Sequence, residues 1–273
     1  MPPRKKKSSY ERKTASVSAE HTTIIGSGLT REQEVSDTLE TNFMPYAMSV
    51  IISRAIPEID GFKPAHRKLL YTMFTMGLLG NTRTKSANIV GQTMKLNPHG
   101  DAAIYDTMVR LTRGNGALLH PYVDSKGNFG KAFSRDTQAA AARYTEAKLE
   151  SISSELFRDI NKDTVDFTDN YDATLKEPTL LPVTFPSVLV NANTGIAVGI
   201  ASNICPFNLR EVCTTAIALI RDEHHNISDT LTGPDFPGGG LLVYNKQELE
   251  KIYETGRGGF KVRSVWNYDA DNR

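Results

Sequence analysis

Two cysteines are all that 273 residues contain, and neither Cys205 nor Cys213 has the spacing that redox or metal motifs need. There is no CxxC pair and no neighbouring pair of histidines, which argues against a disulfide framework or a zinc site. A reducing, cytoplasmic setting is the expectation. Also missing is any apolar run long enough to span a bilayer, so no membrane span is expected, and the N-terminus lacks the hydrophobic segment of a secretory leader. Net charge is nearly absent too, because 32 Lys and Arg face 31 Asp and Glu. What is present, 39% hydrophobic and 23% charged residues, suits a soluble protein of one large domain or two smaller ones.

The near-neutral total hides a division. Residues 1–13 hold six cations and one anion, residues 14–53 one cation and five anions. Residues 54–148 then carry fourteen cations against seven anions, and residues 149–273 eleven against eighteen. A local excess of this size is what a polyanion-binding face requires, since each neutralised phosphate releases counterions. The basic segment ends at Ala-Ala-Ala-Ala-Arg-Tyr-Thr-Glu, residues 139–146, where four alanines without bulk deliver Arg143 and Tyr144 side by side. This pair is the candidate catalytic centre, with Tyr144 as nucleophile and Arg143 as its electrostatic partner. A helix-forming run, Glu146 to Phe157, is expected to follow.

Residues 1–30 are too poor in apolar side chains to offset the entropy of ordering and read as a disordered basic tail. Thr30 and the acidic residues after it suggest a helix start, and residues 31–56 form an N-terminal arm and helix in which Val50, Ile51, Ile52 and Ile56 pack. After a Pro-Glu-Ile-Asp-Gly turn, Ala65–Met76 has helical spacing. His66, Arg67 and Lys68 crowd its first turn, where cations oppose the helix dipole and an anionic ligand would justify them. Helices are expected at Ser86–Leu96 and Ala102–Thr112, joined by Asn97-Pro-His-Gly-Asp. Two short helices with a Gly-containing turn match a helix-turn-helix. Gly127 and Gly130 with Lys126 and Lys131 then suit a hairpin or wing. Beyond residue 163, strands broken by Pro178, Pro182 and Pro186, a small-residue stretch around Ile196, helices at Asn208–Asp222 and Gln247–Glu254 and a strand at Phe260–Tyr268 are expected.

The motifs Tyr46-Ala-Met-Ser-Val-Ile, Arg54-Ala-Ile-Pro, Gly61-Phe-Lys-Pro-Ala-His-Arg-Lys, Pro98-His-Gly-Asp, Gly127-Asn-Phe-Gly, Ala142-Arg-Tyr-Thr-Glu, Asp166-Phe-Thr-Asp-Asn-Tyr-Asp, Gly195-Ile-Ala-Val-Gly and Gly233-Pro-Asp-Phe-Pro stand in one order over about residues 35–268. Together they closely resemble the DNA-cleaving subunit of the bacterial type IIA DNA topoisomerases, gyrase and topoisomerase IV. The resemblance implies an α+β fold, with a winged-helix breakage-reunion domain at residues 57–163 and the start of a tower domain at 164–273. It further implies an isomerase that makes a 5′-phosphotyrosyl break through Tyr144, passes a second duplex through it and reseals it. A tyrosine hydroxyl with a pKa near ~10 is a weak nucleophile at neutral pH, so a cation such as Arg143 is needed beside it.

By the same resemblance Arg54, Lys63, His66, Arg67 and His99 surround or anchor the scissile strand. Ile196 matches the wedge that enters between base pairs. Magnesium and ATP are implied on the ATPase partner of the family, its B subunit, so no metal ligands are expected here. The implied partners are double-stranded DNA, that topoisomerase B subunit and a second copy of the chain, in a cytoplasmic, nucleoid-associated A2B2 assembly. Departures from the family pattern lie at Asn97, where gyrase commonly has a histidine, and at Ala102, which replaces the hydroxyl residue that with Asp106 holds the quinolone bridge. Quinolones are therefore expected to trap cleaved complexes poorly, and Ala102→Ser to sensitise the enzyme. These departures and a slightly long Leu111–Val123 run lean toward topoisomerase IV or a divergent paralogue. From charge and helix pattern alone, a non-catalytic winged-helix regulator, or an architectural DNA bender using Ile196, would also be admissible.

Overall fold

The computed structural model describes residues 22–25, 28–80, 82–115, 117–131 and 138–266, and the chain forms two compact units divided between Tyr46 and Ala47. Most of the expected basic tail, residues 1–21, and the last residues of the expected final strand lie outside the described residues.

In the first unit the stretch expected as tail ends instead in an antiparallel hairpin, β1 (Thr22–Ile25) paired with β2 (Gly28–Arg31). Thr30 therefore belongs to a strand, and the helix begins later, at α1 (Val35–Thr38). A widened π turn, Leu39–Phe43, leads into α2 (Met44–Val50). Pro45 has no N–H to give to the carbonyl of Thr41, and a local change of helical pitch accommodates the missing bond.

The second unit opens with another π turn, Ile51–Ala55, closed by the Ile56 amide on the Ile51 carbonyl at 3.2 Å. Pro57 then forces Ile56 into an extended conformation and stops the helix. Ala55 is buried here, whereas Ile52, expected to pack, is exposed. Helix α3 (Pro64–Thr75) follows, with Pro64 at a first-turn position that needs no hydrogen bond. Its inner face, Leu69, Leu70 and Met73, is fully buried. Strand β3 (Thr84–Lys85) runs directly into α4 (Ser86–Thr93), and the Asn97–Gly100 turn connects α4 to α5 (Asp101–Arg110).

Strands β4 (Val123–Lys126) and β5 (Glu146–Leu149) complete a three-stranded antiparallel sheet with β5 in the centre. The expected helix at Glu146–Phe157 is thereby corrected. Only its end is helical, as a 3-10 turn at Ser151–Ser153 and α6 (Ser154–Phe157). Ala147 and Leu149 point into the core while Glu146 and Lys148 alternate outward. Out there Glu146 meets Lys85 at 2.8 Å and Lys126 at 3.7 Å, and Asp124 meets Lys148 at 3.8 Å. Period-two burial and cross-strand ion pairs override the helix propensity of Glu-Ala-Lys-Leu.

One core gathers Phe62, Leu69, Met73, Ile89, Ile104, Met108, Tyr122, Val123, Leu149 and Leu156 and continues to Leu181. Across the expected boundary at residue 163 run the hairpin β6 (Phe167–Asp169)/β7 (Lys176–Pro178) and the short helix α7 (Ser187–Val190), which replaces an expected strand. A second hairpin, β8 (Asn193–Ile196)/β9 (Ala201–Ile204), precedes α8 (Leu209–Arg221). Strands β10 (Leu241–Leu242) and β11 (Val262–Arg263) pair around α9 (Lys246–Thr255). Val190, Phe207, Val212 and Leu231 form a smaller, second core. The fold is thus α+β, with small antiparallel sheets dispersed among helices.

Two glycines are required by close approach. A side chain on Gly61, whose φ is +77°, would meet the Val188 amide at 2.8 Å. One on Gly195 would stand 1.9 Å from the Ala55 carbonyl oxygen, so only glycine lets the β8/β9 hairpin seat on the end of the π turn.

Candidate nucleic-acid interface

The Arg143-Tyr144 turn hangs from the start of α4. The amides of Ser86 and Ala87, which have no partner inside their own helix, donate to the carbonyls of Thr145 (3.0 Å) and Ala142 (3.1 Å). The turn closes on itself through the Tyr144 amide to Ala141 at 2.9 Å. This leaves Tyr144 66% exposed, with Arg143 also on the surface. The Arg143 guanidinium carbon stands 4.7 Å from the centre of the Tyr144 ring. A cation over the ring face holds the pair as one unit.

The cations ahead of this turn converge elsewhere. Arg54, Lys63, His66, Arg67, Lys68, His99 and Arg110 line one cleft of 820 Å³, together with Ser53, Asp106 and Thr107. Arg54 is exposed at the end of the π turn, His99 in the α4–α5 turn and Arg110 on the last turn of α5. The residues expected around the scissile strand therefore share a single wall, but they do so in three different ways.

His66 is half-buried, and burial together with the cations Lys63, Arg110 and Arg67 pushes its imidazole down to about 4, against a weak opposing effect of Asp60. It is a neutral hydrogen-bonding group at physiological pH. Lys63 is lowered by burial and by Arg110, and its Nζ donates to the Thr194 carbonyl at 2.7 Å, fastening the β8/β9 hairpin to the cleft.

Arg67, expected to surround or anchor the scissile strand, lines the cleft but is held by the protein itself. It is 6% exposed, its Nε and terminal nitrogen donate to the two oxygens of Asp60 at 2.7 and 3.0 Å, and it also reaches the Phe62 carbonyl at 3.1 Å. Asp60, 1% exposed, further accepts from the amides of Phe62 and Leu181. One edge of the guanidinium is held by a buried carboxylate, which fixes it at the cleft floor.

Arg110 was not singled out from sequence. A cation in the last turn of a helix is satisfied by the helix dipole, which masks any other role. Only the excess charge of the segment pointed toward it. Lys68, noted for its position alone, donates to the Leu96 carbonyl at 2.8 Å and pairs with Glu177 at 3.1 Å.

Ile196 is 82% exposed near the tip of the β8/β9 hairpin, whose loop is closed by the Ala197 amide on the Ile200 carbonyl at 2.9 Å. Asp106 lies in the basic cleft, whereas Ala102 borders a separate depression with Asp101, Tyr105, Met94 and Ala142. Tyr144, Arg143 and Ile196 do not line the cleft. Among the described residues no group of three or more His, Cys, Asp or Glu could hold a metal ion, and no helix is long and apolar enough to cross a membrane. The two cysteines are free and half-buried.

A cation-lined cleft beside a two-helix element, with an exposed Arg-Tyr turn suspended from the first of those helices, defines in physical terms a polyanion-facing surface equipped with a nucleophile candidate. The family model for the A subunit of DNA gyrase/topoisomerase IV matches residues 54–273, and the chain belongs to that family. It is 44% identical over 241 residues to the DNA gyrase A subunit of Borreliella burgdorferi, covering 86% of this chain and 29% of that protein. It is 47% identical over 240 residues to the corresponding protein of Staphylococcus epidermidis, and 46% identical over 241 residues to that of Halalkalibacterium halodurans. The chain thus spans between about a quarter and a third of the length of these relatives.

Proposed function

We propose that this chain carries the strand-cleaving half of a type IIA DNA topoisomerase, with α4, the Asn97–Gly100 turn and α5 as a helix-turn-helix and the β3–β5–β4 sheet as its wing. The single observation that carries this reading is the turn that presents Tyr144 and Arg143 together at the surface, at the N-terminus of α4. The basic cleft, walled by the other end of the same helix pair, supports it.

In this reading the duplex backbone lies along Arg54, His99 and Arg110, of which the two arginines supply charge, while neutral His66 can donate or accept a hydrogen bond to a sugar or phosphate oxygen. The Tyr144 Oη attacks a backbone phosphorus. The Oη–P bond forms as the bond from phosphorus to the 3′-oxygen breaks, the phenolic proton is released, and the 3′-oxygen leaves protonated. Arg143 stabilises the charge that builds at phosphorus. Because one phosphoester replaces another, the reverse attack by the 3′-hydroxyl reseals the strand without external energy.

Among the described residues, the donors of the cleft do not fit a divalent metal. The cleft brings one free carboxylate, Asp106, and Glu177, which is paired with Lys68. Magnesium and the ATP site are accordingly assigned to the B subunit of an A2B2 assembly associated with the nucleoid. Ile196 is the wedge that opens a base step and bends the duplex. Ala102 and Asp106 are the drug-bridge positions. Passage of a second duplex through the break then changes DNA topology by relaxation, decatenation or supercoiling.

The test is covalent capture. The protein with its ATPase partner, magnesium and supercoiled plasmid, denatured and protease-treated, should yield broken DNA with peptide on its 5′ ends. Tyr144→Phe should yield none. Equal adduct from the two proteins would refute the assignment, and bending without any adduct would favour an architectural role.

A further inference from the structure

We propose that Tyr105 is a positioning residue for strand cleavage, one whose hydroxyl fastens both ends of the Tyr144 turn to α5. The inference rests on the reading of Tyr144 as nucleophile. The Tyr105 Oη donates to the Ala140 carbonyl at 2.7 Å and lies 3.0 Å from the Thr145 Oγ1. These two partners bracket the segment that contains Arg143 and Tyr144. Thr145 is wholly buried and its Oγ1 lies 2.8 Å from Ser86 Oγ, at the first residue of α4, so that with the Tyr105 proton on Ala140 the Thr145 hydroxyl is free to donate to Tyr105 and Ser86 to donate to Thr145. Three hydroxyls therefore join α5, the nucleophile's turn and α4 in one chain of hydrogen bonds.

The composition of the turn explains why it needs this fastening. Ala139, Ala140, Ala141 and Ala142 have no side chain that could anchor the segment to the core. Its placement depends on backbone hydrogen bonds and on groups that reach it from outside. Tyr105 reaches it from the helix whose neighbouring residues Asp106 and Thr107 line the basic cleft. Seating of α5 against DNA and the reach of Tyr144 toward phosphorus thus become one mechanical event. A displacement of about 1 Å at a reacting group can cost on the order of 100-fold in rate.

Tyr105→Phe removes one oxygen and leaves the ring packed 6.1 Å from Phe129. In the full chain assembled with its ATPase partner, single-turnover adduct formation should slow by about ten-fold or more, while DNA affinity stays within about two-fold. Thr145→Val should act alike, Thr145→Ser should restore the rate, and the Tyr105→Phe/Thr145→Val double variant should be no slower than the worse single one. A native cleavage rate in Tyr105→Phe overturns the proposal, as does a loss of DNA affinity in proportion to the rate. A lower melting temperature with an unchanged rate per folded molecule also overturns it, since that marks a merely structural hydroxyl. Tyr144→Phe run in parallel separates the two readings. Adduct that survives there overturns both, whereas adduct lost there but native in Tyr105→Phe overturns the positioning role alone.

Discussion

Replacing Asp60 by Ala asks whether the cleft stands on the buried Asp60–Arg67 pair. Asp60 accepts four hydrogen bonds: two from Arg67, at 2.7 and 3.0 Å, and one each from the Phe62 and Leu181 amides at 3.0 and 2.9 Å. Both side chains are nearly inaccessible, so the substitution strands a guanidinium and two amides away from water. Breaking one side of a buried pair costs about 3–5 kcal/mol. In a unit of this size each kcal/mol lowers Tm by about 2–4 °C, giving a drop of about 6–20 °C. Calorimetry or a thermal melt would measure it. Replacing both partners with apolar residues, Asp60→Leu/Arg67→Met, should recover part of the loss, because no charge is then left unpaired while the Phe62 and Leu181 amides still lack their acceptor. Arg67→Met alone should leave the salt dependence of DNA binding unchanged. A fall in Tm below about 1 °C for Asp60→Ala would refute the reasoning, and so would a reduced salt slope for Arg67→Met, which would put Arg67 on phosphate after all.

The neighbouring His66 makes stability depend on pH. Its folded value of about 4 lies below the ordinary 6.5, so stability is full above pH 6.5 and is lost as pH falls toward 4, by at most about 3 kcal/mol. Melts at pH 7.5 and 5 should show the native protein losing more than His66→Gln. An anion in the cleft would raise this value, so DNA binding between pH 5 and 6 should take up a proton, detectable as a buffer-dependent enthalpy. Arg110→Ala should lower the slope of log affinity against log salt by about 1, read by fluorescence anisotropy. Gly195→Val would force the β8/β9 hairpin off the Ala55 carbonyl; energy transfer between end-labelled duplex ends should report less bending, with salt-dependent binding retained.

Sequence by itself determined the helices α3, α4, α5, α8 and α9, because each carries a continuous apolar stripe and recognisable ends, and local patterns of that kind need no distant partner. It also supplied the residues of the candidate centre. The adjacency of Arg143 and Tyr144, the pair proposed as nucleophile and cation, is legible without a fold. Tertiary structure decided the rest, wherever a residue's state depends on something far away in sequence. Glu146–Leu149 reads as helix until β3 and β4 flank it and Ala147 and Leu149 find the core on one side. Arg67 reads as a free cation until a carboxylate seven residues earlier, itself anchored to the Leu181 amide, takes one edge of its fork. Lys63 becomes a strut only when the Thr194 carbonyl arrives beneath it. Arg110 acquires a role only when α5 lies beside α3. In each case the local sequence supplies the group, and burial or a partner brought in by long-range packing decides what that group is free to do.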